Sequence, residues 1–269
     1  MKKTLVGLLT AVVLFGGFVQ AVEARGVGDR SDTILRVGAT PVPHAELLNL
    51  IREDFAAMGF TLRIVEFTDF ITPNMALMHG DIDANFFQHL PFLQANDDWN
   101  ANLVSVFGVH VEPFGLYSRR FGSIDELPNG ATIAIPNDPT NGGRALMLLQ
   151  ARGLITLRDG AGLLATPRDI ADNPRGFVFH ELEAAQLPRA LDDVDAATIN
   201  GNFALQAGLN PQRDSLIIED ADSPYVNIVA VRRGTEYDPR ILALKEVLLS
   251  PRVREFIEAR YDGGVVAVF

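Results

Sequence analysis

The segment that most constrains the fold is the run of residues 131–146. Ala131-Thr132-Ile133-Ala134-Ile135 is apolar and β-branched and reads as a buried strand. Pro136-Asn137-Asp138-Pro139-Thr140-Asn141-Gly142-Gly143-Arg144-Ala145-Leu146 follows at once. Asp138 suits an N-cap and Pro139 the first helical position. Leu146, Leu149 and Gln150 carry the predicted helix to a stop at Gly153. A strand feeding directly into a helix is the repeating unit of an open α/β sheet, which gathers its ligand outside the carboxyl ends of its strands. Asn141 and Arg144 lie three residues apart, so they share a helix face about one turn in. Arg144 offers a forked donor suited to a carboxylate; taken without its neighbours it reads equally as a surface arginine beside a glycine pair.

The rest of the chain repeats the same pattern. Residues 34–39 are predicted as a strand, and Thr40-Pro41-Val42-Pro43-His44 as a rigid turn off its end. Leu48, Ile51, Phe55 and Met58 mark one face of a helix that Gly59 ends, and residues 61–67 alternate as a strand. Strand, helix, strand at this spacing predicts a partly parallel sheet. Further strands are expected at 82–87, 103–107 and 114–117, with a short helix at 73–79 and another opening at Gln88 and running towards Trp99. Residues up to about Ser118 form one α/β lobe. A second begins with the strand at Ala131. It continues through strands at 177–179, 196–199, 216–218 and 226–231 and a helix from Glu181 to Leu191, and amphipathic helices at 241–249 and 253–259 close the chain. Two lobes without a long linker imply a chain that crosses between them more than once, with a cleft where they meet.

Composition excludes several functions. The 269 residues are 48% apolar, enough for a substantial core. A net charge of −11 argues against a nucleic-acid partner. The sequence has no cysteine, which removes disulfides, thiolate metal sites, cysteine nucleophiles and lipid attachment through a cysteine. Met1-Lys2-Lys3, the apolar run 4–18 and the small-residue sites Val19-Gln20-Ala21 and Val22-Glu23-Ala24 form the layout of a cleaved secretory signal, predicted to span residues 1–24. The apolar run is shorter than the roughly 20 residues of a membrane span. An exported, acidic, soluble protein is expected.

The predicted strand ends share a composition. They hold Phe70, Asn85-Phe86-Phe87-Gln88-His89, Asn141 with Arg144, Asn200 and Asn202, and Tyr225 with Asn227. A cleft lined this way suits a small zwitterion with an apolar tail. Arg144 takes the carboxylate, asparagine oxygens accept from the ammonium, and asparagine amides donate to the carboxylate. Phe70, Phe86, Phe87 and Phe92 pack on the tail, and aromatic rings suit a thioether. No Gly-x-Ser-x-Gly, Ser-x-x-Lys or His-Glu-x-x-His is present, and Gly142-Gly143 lacks the Gly-Lys-Ser/Thr ending of a phosphate loop. An enzyme is not expected, nor a cofactor. The histidines (His44, His79, His89, His110, His180) are scattered, and convergence of three of them on a metal is the rival reading.

Several of these segments, taken in order, carry a resemblance. They are Val37-Gly38-Ala39-Thr40-Pro41-Val42-Pro43-His44-Ala45-Glu46, Glu66-Phe67-Thr68-Asp69-Phe70, Asp83-Ala84-Asn85-Phe86-Phe87-Gln88-His89, Pro136 to Leu146, Asn200-Gly201-Asn202-Phe203-Ala204 and Ser223-Pro224-Tyr225-Val226-Asn227-Ile228. Together they resemble the MetQ/NlpA family, the substrate-binding components of methionine ABC importers. The resemblance implies a two-lobed periplasmic-binding-protein fold, α/β in both lobes, with residues 34–118 and 230–269 in the first lobe and 119–229 in the second. It implies a periplasmic monomer that binds methionine and hands it to an ABC-transporter permease and its ATPase. Positions matching Arg144, Asn202 and Asn227 would bind the head group, and aromatic positions with the one matching His89 would surround the side chain. Two departures stand out. Relatives usually carry a lipid-bearing cysteine just after the signal, and this sequence has none, so free diffusion in the periplasm is expected. The positions matching Phe70 and Phe92 are commonly tyrosine, which makes that part of the pocket drier here. Another small amino acid, a methionine-containing dipeptide or a metal remain the alternative ligands.

Overall fold

The computed structural model describes residues 33–220 and 223–269; the predicted signal segment lies outside the described residues. β1 (Ile34–Ala39) leads to α1 (Glu46–Leu50), α2 (Arg52–Ala57), β2 (Thr61–Glu66), α3 (Thr72–His79), β3 (Ala84–His89), α4 (Leu90–Gln94), α5 (Asp97–Asn102) and β4 (Leu103–Val111). Next come β5 (Gly115–Tyr117), β6 (Thr132–Pro136), α6 (Pro139–Ala151), the short strands β7 (Thr156–Leu157) and β8 (Ile170–Asp172), and β9 (Val178–Leu182). The chain continues through α7 (Leu187–Ala190), β10 (Ala196–Ile199), α8 (Gly201–Gln206), α9 (Pro211–Asp214) and β11 (Ile217–Ile218). β12 (Val226–Arg232), α10 (Pro239–Leu248), α11 (Pro251–Tyr261) and β13 (Val266–Ala267) complete it.

The strands form two principal sheets. The first has the order β13-β4-β12-β3-β1-β2 and the second β11-β5-β10-β6-β9. In the first, β1 pairs in parallel with β2 and β3, while β12 runs antiparallel between β3 and β4. In the second, β6 pairs in parallel with β9 and β10, and β5 runs antiparallel to β10 and β11. The chain therefore passes from one sheet to the other through Glu112-Pro113-Phe114 and returns between β11 and β12.

These pairings move both edges expected for the lobes. Gly115–Tyr117 pairs with Ala197–Ile199 and so belongs to the second sheet, although it precedes residue 119. Val226–Arg232 is an inner strand of the first sheet, and an edge at 229/230 would cut it in two. Its interior residues are buried on both faces, as an inner strand requires. The helix expected over 181–191 is also corrected. Glu181 and Leu182 complete the ladder of β9 against Ile135 and Pro136. Pro188, which has no N–H to give, stands at the start of α7 rather than near its end. The helix expected to run from Gln88 towards Trp99 is two helices, because the Asn96 side chain accepts from the Trp99 N–H and caps a new start.

Side-chain alternation decides what each strand faces. Phe86 enters the core of Leu35, Val37, Phe55, Leu244 and Ile257 on one face of the first sheet. Phe87 joins Leu77, Phe92, Trp99 and Ile228 on the other. Ile133 and Ile135 pack beneath α6, and Ala134 lies on the opposite face with Leu187 and Ile199. The Asp138 carboxylate accepts from the Asn141 N–H at 3.0 Å and caps α6. The glycine pair of α6 permits close packing: a Cβ on Gly143 would sit 2.2 Å from the Leu163 carbonyl oxygen.

Candidate functional site

A cavity opens where the two sheets face each other. Its walls are Phe70, Phe87, Gln88, His89, Phe92, Glu112, Asn141, Arg144, Asn200, Gly201, Asn202 and Asn227. Nine of the eleven residues expected at a ligand site are among them. Phe86 is not, because alternation along β3 turns it into the core against His44 and His110. Tyr225 is not; its ring lies against the Arg144 guanidinium at 4.1 Å and against the ring of His89, with centroids 4.8 Å apart. Glu112 and Gly201 were not anticipated, and Gln88 was named only within the run at residues 85–89. In the strand pattern Val109-His110-Val111-Glu112, polar residues alternate with valines inside an otherwise apolar stretch, and that alternation was the signal for the first.

The hydrogen bonds determine which polar atoms remain for a ligand. Asn141 donates its amide to both carboxylate oxygens of Asp138 at 3.0 Å, which fixes its Oδ1 on the opposite side. That oxygen accepts from Asn200 Nδ2 at 2.9 Å and lies 3.3 Å from His89 Nε2. His89 Nδ1 accepts from the Phe92 N–H, so its Nε2 carries the proton and donates to Asn141. Burial and the nearby Arg144 cation hold His89 neutral, with its pKa lowered to about 3. Asn141 and His89 are thus struts. Gln88 is another: its amide is consumed by Asn74 and Asn85 beneath the cavity floor.

The remaining groups are complementary. Asn200 has used its amide and keeps a buried, unpartnered Oδ1. Asn202 keeps a buried, unpartnered Nδ2. Arg144 binds the Glu219 carboxylate through Nε, at 2.9 Å, and Nη2, and gives Nη2 also to the Glu112 carbonyl at 3.1 Å. Its Nη1 meets no acceptor among the described residues, and the rings of Tyr225 and Phe114 flank the guanidinium. Asn227 Oδ1 faces His44 Nε2 at 3.1 Å, which leaves its amide as the outward donor. Glu112 contributes a buried carboxylate whose pKa burial pushes up. The site thus offers both donors (Arg144, Asn202, Asn227) and acceptors (Asn200, Glu112). Phe70, Phe87 and Phe92 close the remaining wall, with ring centroids 5.9–6.2 Å apart.

His44, His110 and Glu112 also bring one ligand atom each within 4.8 Å of one another, the only such group among the described residues. His110 Nε2 lies 2.9 Å and His44 Nε2 3.3 Å from the same Glu112 oxygen.

The chain is similar to known proteins over nearly its whole length. "Membrane lipoprotein TpN32" of Treponema pallidum is 46% identical over 99% of this chain and 97% of its own. "Methionine-binding lipoprotein MetQ" of Bacillus subtilis is 38% identical over 100% of this chain and 99% of its own. A nutrient-binding protein from Burkholderia cenocepacia, solved bound to methionine, is 42% identical with a TM-score of 0.85, covering 87% of this chain and all of that one. The first two are lipoproteins by name, whereas this sequence has no cysteine. The profile of the NlpA lipoprotein family matches residues 35–269, both sheets and every wall of the cavity included, and the chain belongs to that family.

Proposed function

We propose that this protein is an exported, periplasmic solute-binding protein that captures methionine as its zwitterion and delivers it, as a monomer, to the permease and ATPase of an ABC importer. The observation that supports the reading is that the cavity's unpaired polar atoms include both donors and acceptors, as a zwitterion requires. Arg144 Nη1, Asn202 Nδ2 and Asn227 Nδ2 receive the carboxylate; Asn200 Oδ1 and Glu112 receive the ammonium. Phe70, Phe87 and Phe92 hold the thioether tail, and His89 and Asn141 keep the walls in register. The first sheet, its helices and the C-terminal elements form one lobe and the second sheet the other. A ligand touching both favours their closed arrangement. The protein performs no chemistry on what it binds. Thermal melts with a panel of amino acids test the reading: methionine raises the midpoint far more than leucine, histidine or glutamate. Equal shifts for all of them, or none, would refute it.

A metal-binding reading is favoured by one observation, the convergence of His44, His110 and Glu112. A melting midpoint that falls on treatment with a chelator and recovers with zinc would support it over the amino-acid reading.

A further inference from the structure

We propose that His44 and His110 are positioning residues that make the cleft selective for a free α-ammonium group, by aiming the Glu112 carboxylate into it. The inference rests on the reading of the cleft as an amino-acid site. Glu112 sits on the crossing between the sheets and is 6% exposed. Two N–H groups fix its direction. His110 Nε2 donates at 2.9 Å to Oε1, and the Asn202 backbone N–H donates to the same carboxylate. His44 Nε2 lies 3.3 Å from that Oε1. A carboxylate has about four lone-pair positions, so room remains for a further donor.

The tautomers follow from the same contacts. Both imidazoles must carry their proton on Nε2. On His44, Nδ1 then accepts from the Thr40 hydroxyl at 2.7 Å, which locks the ring. The Nε2–H of His44 goes to Asn227 Oδ1 at 3.1 Å. This ring therefore turns the amide of Asn227 outward as a donor, and its edge lies 3.3 Å from the Glu112 oxygen that His110 holds. On His110, Nδ1 is a buried nitrogen with no partner, as expected for an unprotonated ring atom. The backbone allows Glu112 to approach only because residue 201 is glycine: a Cβ there would lie 2.7 Å from Glu112 Cβ and 3.1 Å from Oε2. The Glu112 carbonyl accepts from Arg144 Nη2, so the same residue also fixes the carboxylate-binding side. The spacing between the two charge-binding sides is thereby built into one residue.

The test compares methionine with two probes lacking a free ammonium, its N-acetyl derivative and its α-hydroxy analogue, by titration calorimetry on the full mature chain. The unaltered protein binds methionine and prefers it to both probes by roughly tenfold or more, the scale of a hydrogen bond to a charged group. His110→Phe keeps the ring's volume and removes the donor; it weakens methionine by about tenfold and leaves the α-hydroxy analogue nearly unchanged, so the preference collapses. His110→Gln, which retains an N–H, restores the preference. Glu112→Gln abolishes it. A merely structural histidine would weaken all three ligands together. If the unaltered protein binds methionine and N-acetylmethionine equally, or if His110→Phe weakens both probes as much as methionine, the positioning role is wrong. If methionine does not bind at all, the amino-acid reading itself has failed.

Discussion

Acidification should unfold this protein steeply, because three imidazoles are buried in their neutral form. Burial lowers His44 to about 4 and His89 and His110 to about 3, against 6.5 in an open chain. Between pH 6.5 and those native values the unfolded chain binds more protons than the folded one, so stability falls as pH falls. At pH 5.0 the shortfall is about 1.5 pH units per ring, or about 2 kcal/mol at roughly 1.4 kcal/mol per unit. The three rings together cost about 6 kcal/mol. Glu112 acts with the opposite sign: its raised pKa makes the folded state bind a proton sooner, which offsets part of the loss. A net fall of about 4–6 kcal/mol between pH 7.5 and 5.0 is expected, comparable with the whole stability of many domains. Urea melts at several pH values measure it, read through the fluorescence of Trp99, the single tryptophan, which packs against Phe92. His110→Phe should remove about 2 kcal/mol of the pH-dependent part. A stability unchanged to within 1 kcal/mol over this range would refute the assignment of these rings as buried and neutral.

Three further outcomes follow from the cleft. Arg144→Ala removes the carboxylate's charged partner and leaves Glu219 unpaired, and methionine affinity measured by calorimetry should fall by roughly 2–5 kcal/mol. Gly201→Ala forces a Cβ into Glu112; binding should weaken at least tenfold while the far-ultraviolet circular dichroism stays that of the parent. Phe70 packs its ring 4.9 Å from Phe203 of the second lobe and 5.9 Å from Phe92 of the first, and so bridges the cleft. Phe70→Ala should speed ligand release in stopped-flow measurements several-fold, in line with about 1 kcal/mol for an aromatic pair.

Much of the site was legible because local rules set it. The apolar run at 131–135 and the Asp138-Pro139 start placed α6, and spacing alone put Asn141 and Arg144 on one face. The run Asn85-Phe86-Phe87-Gln88-His89 defeated the same reasoning. All five residues are buried, so no polar alternation marks which phenylalanine faces the ligand. Tyr225 packs on Arg144 through the return crossing, a long-range contact that no local pattern records. The lobe edges failed for the same reason. β5 and β12 are strands by composition, but their sheet is chosen by partners far along the chain. Glu112 was passed over despite its alternation with valines, because a glutamate before a proline usually signals a solvated turn; here two histidines and a glycine surround it in the interior.

Native mass spectrometry of the mature protein with methionine, beside the same measurement on Arg144→Ala, tests the central claim most directly. A single bound methionine on the parent and none on the variant at the same concentration is the predicted result. A parent that carries no methionine at saturating concentration, or a variant that carries it equally well, would contradict the proposed site.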